Sequence, residues 1–165
     1  MLTDSDFEEI RQLFARYSHT LDFGDAEGFA ACFTEDGALD TSSPEDGVLG
    51  VHSGHVALRK FVGTTAEYSG GNVRQSALNV LIEGDETKAR ANSFVFISRA
   101  YDDLTNAYGR PSEATRASLE TTGMFFDELV KVDGRWRFSL RQFRNDGLPD
   151  VLDRVLKPVT LGPLR

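Results

Sequence analysis

The hydrophobic period of this chain changes once, and that change limits what it can fold into. Phe7, Ile10, Leu13, Phe14, Tyr17 and Leu21 recur at three- and four-residue spacing, which lines one face of an α-helix. Beyond Gly70-Gly71 the apolar residues alternate with period two over long stretches, the spacing of strands. Helices first and a run of long strands afterwards dictate an α+β layout, with N-terminal helices packed on an antiparallel sheet. A strongly curved sheet wrapped on those helices encloses a cone-shaped cavity.

Local signals mark the elements. Thr3 with Asp6 three residues on has the form of a capping box, so the first helix is expected to begin there and to stop at Gly24. Asp25 caps a second short helix, Ala26 to Phe33, which turns Phe29, Cys32 and Phe33 inward before Thr34-Glu35-Asp36-Gly37 breaks the pattern. Residues 38–53 read as a β-hairpin or an irregular excursion, because Pro, Asp, Gly and Ser surround two short apolar pieces. Ser53 caps a third helix running to about Ala66. Strands are expected over Val73–Ile82, Thr87–Tyr101, Ala117–Lys131 and Arg135–Asn145, the last two joined by a Val132-Asp133-Gly134 hairpin turn. No repeat or linker divides the chain: residues 1–147 read as a single domain and residues 148–165 as a C-terminal tail.

Composition removes several function classes. A net charge of −8 argues against nucleic acid, whose phosphates require clustered Lys and Arg. One cysteine, Cys32, allows neither an intramolecular disulfide nor a cysteine metal cluster. The acidic start MLTDSDFEEI lacks the basic and apolar segments of a signal peptide, and no apolar run has membrane-spanning length. A cytoplasmic protein without membrane contact is the expectation. Neither G-x-S-x-G, nor a P-loop, nor a dinucleotide glycine fingerprint occurs, so no cofactor is expected. His19 points away from the apolar helix face, and His52 and His55 in VHSGHVAL have no partner at metal-ligand spacing. No metal site is expected either.

The order RYSHTLDFGDAEGFAACFTEDGAL, GHVALRKFV, RQSALNVLIEGDETKARANSFVF and GMFFDELVKVDGRWRFSLRQFRNDG resembles the SnoaL-like branch of the NTF2-like superfamily over roughly residues 5–147. That group includes polyketide cyclases, scytalone dehydratase, bile-acid dehydratases and the β subunits of ring-hydroxylating dioxygenases. The resemblance implies the cone-shaped fold and a homodimer formed through the sheet. It also implies that a tyrosine and an aspartate five apart on the first helix face the cavity; Tyr17 and Asp22 match that spacing. The dehydratase-like members often carry a histidine on the first long strand and an asparagine four residues later. Here Asn79 is present, but Gln75 stands at the histidine position.

Residue chemistry adds to this. A tyrosine on an apolar helix face is ordinarily a core residue with its hydroxyl at an edge, whereas a carboxylate at the lip of an apolar cavity is partly desolvated and suited to proton transfer. Strict alternation groups Val73, Gln75, Ala77, Asn79 and Leu81 on one strand face. Gln75 holds a carbonyl but exchanges no proton near neutrality. His55 is the candidate replacement if its loop folds over the cavity mouth, and Asn92, Ser93 and Arg141 are secondary pocket candidates. The resulting expectation assigns catalysis to Asp22 and Tyr17 and substrate binding to Gln75, Asn79, Asn92 and His55. The ligand would be a small apolar or aromatic oxygenated ring compound, and the activity a cofactor-independent lyase or isomerase. The alternative is a non-catalytic binding module or an assembly subunit resembling a dioxygenase β subunit.

Overall fold

The capping box at the N-terminus forms as its spacing requires. In the computed structural model, which describes residues 1–41, 50–101 and 116–146, the Thr3 hydroxyl accepts from the Asp6 N–H while the Asp6 carboxylate accepts from the Thr3 N–H at 2.9 Å. Helix α1, Asp4–Asp22, follows. Asp6 also accepts from Trp136 Nε1 at 2.9 Å and Lys131 Nζ at 2.6 Å, so the cap doubles as the joint between helix and sheet. The apolar stripe of α1, from Ile10 through Leu21, is buried, and Gly24 takes the left-handed conformation (φ 72°) that ends the turn.

The second helix is shorter than its sequence pattern suggests. α2 covers only Ala26–Ala30, and Phe33 already begins strand β1, Phe33–Asp40. The Thr-Glu-Asp-Gly stretch that reads as a helix breaker lies within this strand. Pairing decides the matter: β1 runs parallel to the last strand and antiparallel to β2, Val51–Ser53, and backbone ladders outweigh weak local propensity. Gly37 is required here, because a Cβ would lie 2.8 Å from the Phe138 carbonyl oxygen. The β1–β2 pairing agrees with a hairpin at both ends of the 38–53 excursion; its middle, residues 42–49, lies outside the described residues.

Helix α3, Gly54–Ser69, extends one turn beyond the expected end, and Ser53 occupies its N-cap position without a side-chain cap bond. Then come β3 (Val73–Gly84), β4 (Lys88–Tyr101), β5 (Arg116–Val132) and β6 (Arg135–Asn145). The six strands form one sheet in the order β2-β1-β6-β5-β4-β3, antiparallel except for β1 against β6. Register shifts at Leu78/Leu81, Ile97/Ser98 and Glu128/Leu129 interrupt successive ladders. Bulges of this kind bend and twist strands. The polar loop over residues 102–115 and the tail from Gly147 fall outside the described residues.

The core fills the space between α1, α2, α3 and the inner sheet face. Tyr17, Phe29, Phe33, Phe125 and Phe138 make a mutually packed aromatic cluster, with ring centroids 4.9–6.1 Å apart. Outside, the sheet presents Leu78, Leu81, Phe94 and Phe96, each at least 40% exposed.

Candidate functional site

Between α3 and the inner face of the sheet lies a cavity of about 730 Å³, within the range of small-molecule sites. Tyr17 and Phe125 line its inner end, Phe61 and Tyr68 come from α3, and Gln75 comes from β3. The Tyr17 hydroxyl makes no hydrogen bond among the described residues, and burial pushes it well above the ordinary phenol value. It is therefore a neutral O–H donor.

Asp22, half-buried at the end of α1, does not itself line the cavity; it meets the sheet edge one residue layer behind, at Gln75. Strand β3 is the outermost strand, so alternate N–H groups on its free side have no ladder partner. Both Asp22 carboxylate oxygens accept one of these, the Gln75 N–H, at 3.1 and 3.3 Å. Burial pushes the Asp22 carboxyl up; the Gln75 hydrogen bond and the charges of Arg74 and His19 oppose this without cancelling it. Tyr17 and Gln75 thus share the cavity lining, and Asp22 is joined to it through the Gln75 backbone.

The other expected site residues lie elsewhere. Asn79 has φ 53° and is exposed, at the β3 bulge between Leu78 and Leu81. This extra residue reverses the alternation: Val73, Gln75 and Ala77 face inward, but beyond the bulge the inward residues are Val80 and Ile82 rather than Asn79 and Leu81. Asn92 shares the outward parity of Phe94 and Phe96, while its neighbours Ala91 and Ser93 are buried. The His55 ring Nε2 lies 3.2 Å from the Phe33 carbonyl oxygen, a tie between α3 and β1 that does not line the cavity.

Two features go beyond the assigned site residues, though Ser93 and Arg141 stand among the secondary pocket candidates. His52, three positions from His55, does line the cavity, its ring packed against Phe61 with centres 4.7 Å apart and planes tilted by 45°. The available signal was its place on a strand immediately before a helix, but strand β2 has only three residues, too few to show a period. Behind Tyr17 and Phe125, Arg141 and Asp127 face each other across β5 and β6, fully buried with Nε to Oδ1 at 3.4 Å. The Arg141 guanidinium lies 3.8–4.6 Å from the ring centres of Phe125, Tyr17, Phe138 and Phe14, a cation–π cage. Burial pushes the Asp127 carboxyl up, only partly offset by the Arg141 charge. Neither side chain makes a hydrogen bond among the described residues, nor does nearby buried Ser93 on β4.

Among the described residues no group of three His, Cys, Asp or Glu converges as a metal site, and no helix is long and apolar enough to cross a membrane. The cavity wall itself offers a neutral hydroxyl donor, Tyr17, and an amide, Gln75, with the Asp22 carboxylate held on the Gln75 backbone.

Known proteins share this architecture. Rv3472 from Mycobacterium tuberculosis, a protein of unknown function, is 31% identical with a TM-score of 0.70, covering 88% of this chain and 74% of that one. A provisional scytalone dehydratase from Novosphingobium aromaticivorans is 25% identical with a TM-score of 0.63, covering 86% and 84%. ActVI-ORFA from Streptomyces coelicolor, at 18% identity and a TM-score of 0.66 over 85% and 96% of the two chains, shares the fold. No curated protein matches the chain. The model of the SnoaL-like domain matches residues 4–142, and the chain belongs to that family.

Proposed function

We propose that this protein is a cofactor-independent lyase or isomerase that acts by acid–base catalysis on a small, apolar, oxygenated ring compound. One observation carries the reading: a desolvated carboxylate, Asp22, is fastened to the backbone of Gln75, whose neighbours in the cavity wall include the free hydroxyl of Tyr17. The likeness to a provisional scytalone dehydratase supports the same reaction class.

In this reading Asp22 accepts a proton from carbon next to a ring carbonyl. The C–H bond breaks, its electron pair moves into the enolate, and the Tyr17 hydroxyl donates to the developing oxyanion. The Gln75 amide orients the carbonyl. Apolar walls such as Phe61, Phe125 and Phe143 hold the ring and keep water from the charge. The enolate then regains a proton at another position, or expels a β-hydroxyl.

The test uses 2-tetralone, an aromatic ketone whose protons next to the carbonyl exchange in deuterium oxide. Wild-type protein is expected to accelerate that exchange, and Asp22→Asn to lose the acceleration while binding 2-tetralone within a few-fold. Normal exchange by the variant would refute the assignment.

A second reading concerns assembly. Leu78, Leu81, Phe94 and Phe96 form a contiguous apolar strip on neighbouring outer positions of β3 and β4. A strip of this kind on a soluble chain marks a contact surface, and its occupant in this reading is a second copy of the same chain.

A further inference from the structure

We propose that His52 is a second proton carrier of the cavity, a catalytic base that meets the ligand from the edge of the sheet opposite Asp22. The proposal rests on the acid–base reading of the same cavity. β2, which carries His52, is the outermost strand at one edge, and β3, which carries Gln75, is the outermost strand at the other. Both residues line one cavity, so a ligand lying across it has Gln75, whose backbone holds Asp22, at one end and an imidazole at the other.

The position of this ring is built rather than incidental. Antiparallel pairing with β1 sets His52 opposite Leu39, a fully buried residue. Phe61 of α3 packs against the ring at 4.7 Å, tilted by 45°, and in turn lies 6.0 Å from Phe29, which packs on Tyr17 at 4.9 Å. The ring plane is thereby linked through two aromatics to the hydroxyl donor. Yet the ring nitrogens make no hydrogen bond among the described residues, in contrast to His55, whose nitrogen lies against the Phe33 carbonyl. A half-buried imidazole with its plane held and its nitrogens free is available to a ligand.

Among the described residues of the cavity wall no other group can take this role near neutrality. Gln75 carries no exchangeable charge, and the Tyr17 hydroxyl is held neutral by burial. Glu120 is bound by Arg99 in an ion pair. Lys60 is exposed to solvent. Imidazole alone changes charge in this range, and burial lowers the His52 value below its ordinary 6.5, so the neutral base predominates at pH 7. The step balances without a further reactant. A ring nitrogen accepts a proton from carbon next to the ligand carbonyl at that end of the cavity: C–H breaks, N–H forms, and the C–H electron pair moves into the enolate. The resulting imidazolium returns that proton to carbon, or to a departing hydroxide as water.

Three variants test this with 2-tetralone exchange in deuterium oxide. His52→Phe keeps the packing on Phe61 but has no nitrogen; it is expected to bind 2-tetralone within a few-fold and to lose exchange by at least about tenfold. His52→Ala is expected to recover exchange when free imidazole is added, which a purely structural role would not produce. In the wild type, the ¹⁵N ring signals of His52 are expected to shift on adding 2-tetralone while those of His19 do not. Wild-type exchange by His52→Phe, or unmoved His52 signals with bound 2-tetralone, overturns the proposal. If exchange survives in His52→Phe but not in Asp22→Asn, the His52 role fails and the Asp22 reading stands; the reverse pattern refutes Asp22 alone. Absence of binding or exchange in the wild type overturns both.

Discussion

The Asp22 carboxylate accepts the Gln75 N–H with both oxygens, at 3.1 and 3.3 Å, across 53 residues of chain. This one contact serves two purposes. It terminates a free sheet edge, and it fixes a half-buried carboxylate to the backbone of a residue that lines the cavity.

The two purposes separate by substitution. Asn retains an oxygen that can accept the Gln75 N–H, so Asp22→Asn should unfold near the wild-type midpoint while exchange falls on the order of 10²-fold or more. Asp22→Ala orphans the N–H and should in addition lose about 1–3 kcal/mol of stability. Chemical denaturation of both variants, read beside 2-tetralone exchange, checks this.

Asp22 also predicts a direction with pH. Its carboxyl value is raised by burial, and a base works only when ionised. The rate should therefore rise with pH along a limb displaced above the ordinary carboxylate value of 3.8. In Asp22→Asn that limb should vanish from the pH–rate profile.

Tyr17→Phe removes a hydroxyl that bonds to nothing else among the described residues, and leaves the ring packed against Phe29, Phe125 and Phe138. Thermal stability should hardly change, whereas exchange should drop on the order of 10²-fold, the cost of losing one oxyanion donor. A large loss of stability would assign the hydroxyl to the core instead.

The buried pair behind the cavity makes a thermodynamic prediction. Asp127→Leu leaves the Arg141 charge uncompensated at 0% exposure, and should cost about 3–5 kcal/mol. Adding Arg141→Met should recover most of that loss, because an apolar pair of similar volume avoids desolvation. A double-mutant cycle by urea denaturation measures the coupling.

Acid stability should depend on Asp6. The bonds from Lys131, Thr3 and Trp136, Lys131 first, hold its carboxyl well below the ordinary carboxylate range. A depressed carboxylate stabilises the fold above its unfolded value and loses that stabilisation as pH falls below it. The difference in melting temperature between wild type and Asp6→Asn should thus shrink as pH drops through the ordinary carboxylate value toward the depressed one.

For assembly, Phe94→Glu with Phe96→Glu should convert a dimer to a monomer in sedimentation velocity without altering the circular dichroism spectrum. An unchanged sedimentation coefficient would place the contact elsewhere.

Periodicity carries the elements because it is a local property: the 3.6-residue stripe of α1, its Thr3–Asp6 cap and the two-residue alternation of β6 each reside within a few consecutive residues. The same signals brought Tyr17 and Gln75 to the inner faces of their elements. They misjudged Phe33, where a strand forms because β6 and β2 are there to pair with it, and Asn79, where one bulge residue exchanges the two faces of β3. They also chose His55 over His52. No local pattern separates two histidines three residues apart on either side of a glycine; the difference arises when one ring packs on Phe61 and the other meets the Phe33 carbonyl. Local spacing therefore determined the long helices and the four long strands, while strand order and register decided that β1 forms at all, which N–H meets Asp22, which imidazole lines the cavity and which charges are buried together, since those are contacts between residues far apart in the chain.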